Sequence, residues 1–194
     1  MVEKIAKELT FKMISSELIK AEKEDYYIYA IVSIFEKIIV FGTILVIGIA
    51  NKIILPTLVF WVGFMGLRKR TNGFHAKKFY MCYIGTIIIY CMVIVIEPFL
   101  TNYKYLMYTV VILAASIIVV IGVINHPNMD LTKEEFVDSK RASRWFVLLE
   151  ICILGMLIML KVEQIYISYY SMGIIICAIL MCIAKVTKQE IKIK

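Results

Sequence analysis

The sequence predicts an all-α, polytopic transmembrane bundle, and three observations carry that prediction. Apolar residues make up 61% of the 194-residue chain and charged residues only 19%. An ordinary soluble domain is about 45–50% apolar, so this chain has too little polar surface to cover a water-soluble fold. The apolar residues fall into six long stretches, and the positive charges alternate in density from one linker to the next.

Residues 1–25 mix Lys4, Lys7 and Lys12 with Glu3, Glu8 and Glu17, and set Val2, Ile5, Leu9, Met13 and Ile14 near helical spacing. That pattern predicts an amphipathic helix, either lying on the membrane surface or packing as a solvated helix on the spans. The segment lacks the apolar core and small-residue cleavage site of a signal peptide, so insertion is expected to use the internal spans.

The six stretches run over 27–50, 53–67, 79–100, 105–124, 145–160 and 165–184. Four approach or exceed the roughly 20 residues a spanning helix needs. The second is short and carries Pro56, Gly63 and Gly66, which allows a re-entrant segment as well as a full crossing. The whole of 1–194 reads as one integral membrane domain.

Eighteen of the 22 Lys and Arg residues lie in the N-terminal segment, the 68–78 linker, the 125–144 linker and the C-terminal tail. The alternate linkers hold only Lys52, Lys104 and Lys161, and Lys37 sits inside the first span. The positive-inside rule then puts both termini and both longer linkers in the cytoplasm of a multi-pass cell-membrane protein. Tyr103, Tyr105 and Tyr108 suit an interfacial aromatic belt at the opposite face. The net charge of +7 is read as topology and attraction to anionic lipid headgroups, with no nucleic-acid partner.

Five cysteines, an odd number without loop clustering, argue against a disulfide framework. With no CxxC pair and no Cys/His quartet, neither a metal nor another cofactor is expected. Cys91, Cys152, Cys177 and Cys182 read as small packing residues within apolar spans.

Chemistry concentrates in the 68–78 linker and the start of the third span. His75 precedes Cys82 by seven residues in a strongly basic setting, and a thiolate nucleophile needs both a base and positive potential. Along one helix that separation is about 10.5 Å, too long for a hydrogen bond. A dyad therefore requires a bend, and Asn72 and Gly73 supply turn-forming residues. A helix starting near Lys77 would set Cys82 just past its first turn, where the helix dipole still favours a thiolate. The competing reading is a packed cysteine beside a headgroup-binding loop.

The string Arg68-x6-His75-x6-Cys82, with Gly73 two residues before the histidine and an apolar span after the cysteine, resembles the accessory gene regulator B family of membrane cysteine endopeptidases. The similarity extends to length, the charged N-terminal segment, the span layout and the proline-containing linker Asn125-His126-Pro127-Asn128-Met129-Asp130-Leu131. The resemblance implies that Cys82 is the nucleophile and His75 its general base. It implies removal of the C-terminal tail of a quorum-sensing precursor peptide through an acyl-thioester, cyclisation to a thiolactone or lactone, and a homodimer. Arg68 matches a family position and is a candidate for oxyanion or carboxylate binding, or for a lipid anchor. Gly73 is read as a turn requirement. Lys77 and Lys78 are candidates for contacts to the peptide or for anchors.

His126 is a weaker candidate for a catalytic partner, Glu36 is one for a third member orienting His75, and Glu97 is expected at the outer interface. Two other functions fit the composition: a small transporter or channel, and a non-catalytic membrane partner of a signalling system.

Overall fold

A computed structural model describes residues 2–74, 76, 79–125 and 131–191 of the chain. These residues form seven α-helices and one 3₁₀ turn, without strands. Five of the helices are long and apolar enough to cross a membrane, so the chain is a multi-pass helical membrane protein.

The first compact unit covers residues 1–47. It holds α1 (Val2–Ser15), a 3₁₀ turn at Ala21–Lys23 and most of α2 (Glu24–Ala50). The charges of α1 pair one turn apart, Lys7 with Glu3 at 3.0 Å and Lys12 with Glu8 at 4.0 Å. The amphipathic helix stops short of residue 25. Glu17 takes a left-handed backbone, φ 56°, and Leu18 N–H returns to Met13 O at 3.0 Å. That geometry ends a helix by satisfying its last carbonyls.

The second unit, residues 48–194, contains α3 (Ile54–Thr71), α4 (Phe79–Asn102), α5 (Lys104–Ile121), α6 (Lys133–Met159) and α7 (Gln164–Val186). At its centre α3 packs along α7. The buried positions of α3 recur every three to four residues: Thr57, Phe60, Gly63 and Phe64, Leu67, Thr71. Glycines let the two backbones approach. A methyl group on Gly173 would lie 2.8 Å from Phe64 N, and one on Gly63 would lie 3.3 Å from Tyr170 O. Small residues at helix contacts are how membrane helices gain van der Waals contact, since lipid is as apolar as leucine.

The short second apolar stretch forms most of α3, with one face buried and Leu55 and Val62 exposed. It is also the only one of the six stretches whose helix falls outside the five of spanning length and apolarity. Outward faces of α4 and α5 are apolar too, with Val95 78% and Val120 73% exposed. In hydrocarbon, such side chains need no cover.

α6 begins at Lys133, so the latter part of the 125–144 linker is helical. Thr132 and Glu135 form a reciprocal capping box that starts it, Glu135 N–H donating to Thr132 Oγ1 at 3.3 Å and Thr132 N–H to Glu135 Oε2 at 2.9 Å. Two turns between helices use lysine in the left-handed region, Lys52 at φ 58° and Lys161 at φ 53°. Each follows a helix C-terminus, where an ammonium also complements the exposed carbonyls.

Candidate functional site

The site is built where α3 ends. Asn72 leaves helical geometry at φ 57°, while its N–H still reaches Arg68 O at 3.1 Å. Gly73 follows at φ +117°, a conformation that L side chains rarely adopt. A methyl group there would collide with Arg68 Nη1 and stand 3.3 Å from the Leu180 carbonyl. The turn that the sequence called for is present, and its glycine is required by backbone angle and by space.

Arg68 is folded into that turn. Nη1 donates to Asn72 O and Nη2 to Phe74 O. Phe74 N–H in turn donates to Leu180 O of α7 at 3.0 Å. Among the described residues no carboxylate forms an ion pair with the guanidinium. Desolvation lowers the Arg68 pKa from its ordinary value, and the nearby thiols of Cys177 and Cys82 oppose that shift. An arginine stays charged regardless, so a fixed positive charge stands within electrostatic reach of Cys82.

Cys82 lies in the first turn of α4, half-buried, and its carbonyl accepts Thr86 Oγ1 at 2.9 Å. The helix start and Arg68 both contribute positive potential there. His75, Lys77 and Lys78 lie outside the described residues, as does His126. The expected His75–Cys82 contact therefore has no described geometry. His75 does follow directly on Phe74, the last residue of the anchored turn.

A second linker is tied to the first. Ile124 N–H donates to Thr71 O at 3.1 Å, and Asn72 Nδ2 donates to Ile124 O at 3.1 Å. Asn125, fully buried, accepts Leu131 N–H on Oδ1 at 3.1 Å and Ile191 N–H on its main-chain oxygen at 2.9 Å. The α3–α4 linker, the α5–α6 linker and the tail after α7 thus meet at one end of the second unit. Basic residues of α6 also serve main-chain carbonyls: Arg144 Nε donates to Val119 O at 3.0 Å near the end of α5, beside Ser143 Oγ to Gly122 O at 2.6 Å.

Other residues singled out from the sequence fall elsewhere. Cys177 is buried and donates to Phe64 O at 3.3 Å, a packing residue as expected. Cys182 is half-buried, whereas Cys91 and Cys152 are exposed on the outer helix faces. Glu36 belongs to the first unit. Glu97, near the end of α4, is buried: it accepts Thr101 Oγ1 at 2.5 Å, and that hydroxyl also meets Ser168 Oγ at 2.9 Å.

Two polar residues of the interior were not anticipated. Glu150 of α6 is 3% exposed and accepts the Tyr170 hydroxyl of α7. It also fills the space opposite Gly66, where a methyl group would lie 2.7 Å from Glu150 Oε1. A carboxylate inside an apolar run is itself the sequence signal that points to such a residue. Asn125 carried no comparable signal, because its partners are assembled only by the fold.

The family model described as Accessory gene regulator B matches residues 1–184 of the chain. No curated protein and no solved structure matches it.

Proposed function

Because this chain belongs to the accessory gene regulator B family and so to a quorum-sensing system, we propose that it is a membrane-embedded cysteine endopeptidase acting on the signal precursor peptide. Cys82 is the nucleophile and His75 the general base. The observation that carries the reading is the position of Cys82 in the first turn of α4, within electrostatic reach of an arginine whose side chain holds the turn leading to His75.

His75 takes the thiol proton as the Cys82 sulfur attacks the scissile amide carbon. The C–N bond breaks, the proton passes to the departing amine, and the C-terminal tail leaves. The remaining peptide is held as an acyl-thioester on Cys82. A thiol or hydroxyl of the same peptide then attacks that thioester, releasing Cys82 and closing a thiolactone or lactone ring. Thioester exchange conserves acyl-transfer potential, and a water-poor site at the bilayer boundary favours ring closure over hydrolysis. A leader helix lying in the interface raises the effective concentration of the scissile bond.

In this reading Arg68 first fixes the turn, and its remaining donor hydrogens face developing negative charge. Lys77 and Lys78 bind anionic headgroups or the peptide tail. The active site and both termini are cytoplasmic, and the protein works as a homodimer. A transport path would draw on Glu36, Lys37 and Glu97; Glu97 is engaged by a neighbouring hydroxyl, as is the buried Glu150 of α6, which favours the enzyme over a channel.

Co-expression with the cognate precursor tests the proposal. Cys82→Ala and His75→Ala should abolish tail removal while membrane insertion is retained, and Cys91→Ala should cleave normally. Cleavage by the inserted Cys82→Ala protein would refute the assignment.

A further inference from the structure

The candidate catalytic turn hangs between two supports, α7 through Phe74 and Leu180, and the α5–α6 linker through Ile124. Helix α7 is the most buried helix of the unit, so the first support is rigid. The second is a linker, and a linker transmits position only if it is itself held. Asn125 does this. Its side-chain oxygen closes a loop to the N–H six residues ahead, and its main-chain oxygen takes Ile191 N–H from the far end of the chain. With no exposed surface, Asn125 has no solvent to replace either bond.

We infer that Asn125 is a positioning residue for the cysteine site, registering the α5–α6 linker against the turn at Asn72 and Gly73 that precedes His75 in the sequence. The inference rests on the dyad reading given above. Asn125 touches neither thiol nor substrate. It fixes Ile124, and Ile124 fixes Thr71 and Asn72 through one hydrogen bond to each. Asn72 O is also the acceptor for Arg68 Nη1, so a shift of Ile124 moves the arginine along with the turn.

Two features make the role specific. An apolar residue of similar size would fill the same volume but leave Leu131 N–H unmatched, so shape alone does not explain an asparagine here. The bond from Asn72 reaches the same linker at Ile124, the residue before Asn125. Both asparagines therefore belong to one tie, and losing either should have the same consequence for Cys82.

The test uses the full-length protein in detergent micelles and iodoacetamide as probe, with alkylation of each cysteine followed by peptide mass spectrometry at neutral pH. Alkylation of Cys82 reports how readily its sulfur reacts, which falls when a base and a positive charge are moved away from it. Asn125→Ala should slow Cys82 alkylation about tenfold, and Asn72→Gly, which keeps the left-handed backbone but deletes the bond, should do the same. The double variant should be no slower than either single one, because both remove one tie. Cys177 is buried and serves as an internal gauge: it should stay unreactive throughout.

An unchanged Cys82 rate in both single variants overturns the inference, and so does a double variant slower by the product of the two effects. If Asn125→Ala alone exposes Cys177, the bundle has opened and Asn72→Gly decides the matter. His75→Ala, run in parallel, separates the two levels. Should it leave Cys82 alkylation unchanged, the dyad reading falls and the positioning role with it. Should it slow Cys82 while the asparagine variants do not, only the positioning role is lost.

Discussion

The middle of α3 and its last turn are held by different means. Its middle is pressed against α7 by glycines, where backbone meets backbone and no side chain can adjust: a methyl group on Gly173 would lie 2.8 Å from Phe64 N and 3.2 Å from Phe60 O. Its last turn is held by directional bonds, from Arg68 to two carbonyls, from Phe74 to α7 and from Asn72 to the neighbouring linker. The contrast teaches a division of labour. Close packing fixes which helices are neighbours and resists any added volume. Hydrogen bonding fixes the orientation of a few polar groups, and it can be lost without separating the helices.

The contrast predicts a graded series of losses in folding stability, read as the thermal midpoint in detergent micelles. Gly173→Val should be the most damaging, by about 3 kcal/mol, because the added methyls meet main chain that cannot rotate away. An unchanged midpoint would mean the seam is not as close as described. Glu150→Ala comes next, at about 2 kcal/mol, since it strands the buried Tyr170 hydroxyl. Glu150→Gln keeps an acceptor and should recover most of that loss; equal damage from both would show that charge, not hydrogen bonding, matters there. Arg68→Lys should cost least, about 1 kcal/mol, because one point charge replaces a planar fork that serves two carbonyls. Its precursor cleavage should nevertheless fall about tenfold, the reverse of the order for stability. Cleavage that merely tracks the midpoint across the series would dissolve the distinction between seam and turn.

The helices were legible because each apolar stretch reports directly on the solvent it will meet. Stops and starts were less so. Hydropathy is blind to the first turns of α6, although Thr132-Lys133-Glu134-Glu135 carries the capping-box spacing that begins it. The covered face of α3 could not be read from its own residues alone, since it depends on Gly173 of α7 lying opposite. Of the site, Arg68, Gly73, His75 and Cys82 were found together through spacing and family resemblance, and the need for a turn at Asn72 and Gly73 followed from the length of a helix. The support from Ile124 and Asn125 was not visible, because Asn72 and Ile124 stand 52 positions apart and nothing local announces their pairing. Glu150 was not anticipated although a charge in an apolar run marks it, and nothing in the sequence marks Tyr170 as its partner.

Helix α6 has 27 residues, which at about 1.5 Å each gives it roughly 40 Å, against about 30 Å of hydrocarbon to cross. It must overhang, tilt or do both. An overhanging start makes a stiff post out of what would otherwise be a tether, so Lys140, Arg141 and Arg144 keep a set height and angular order. Whatever anionic surface they meet is met by a ruler rather than a brush.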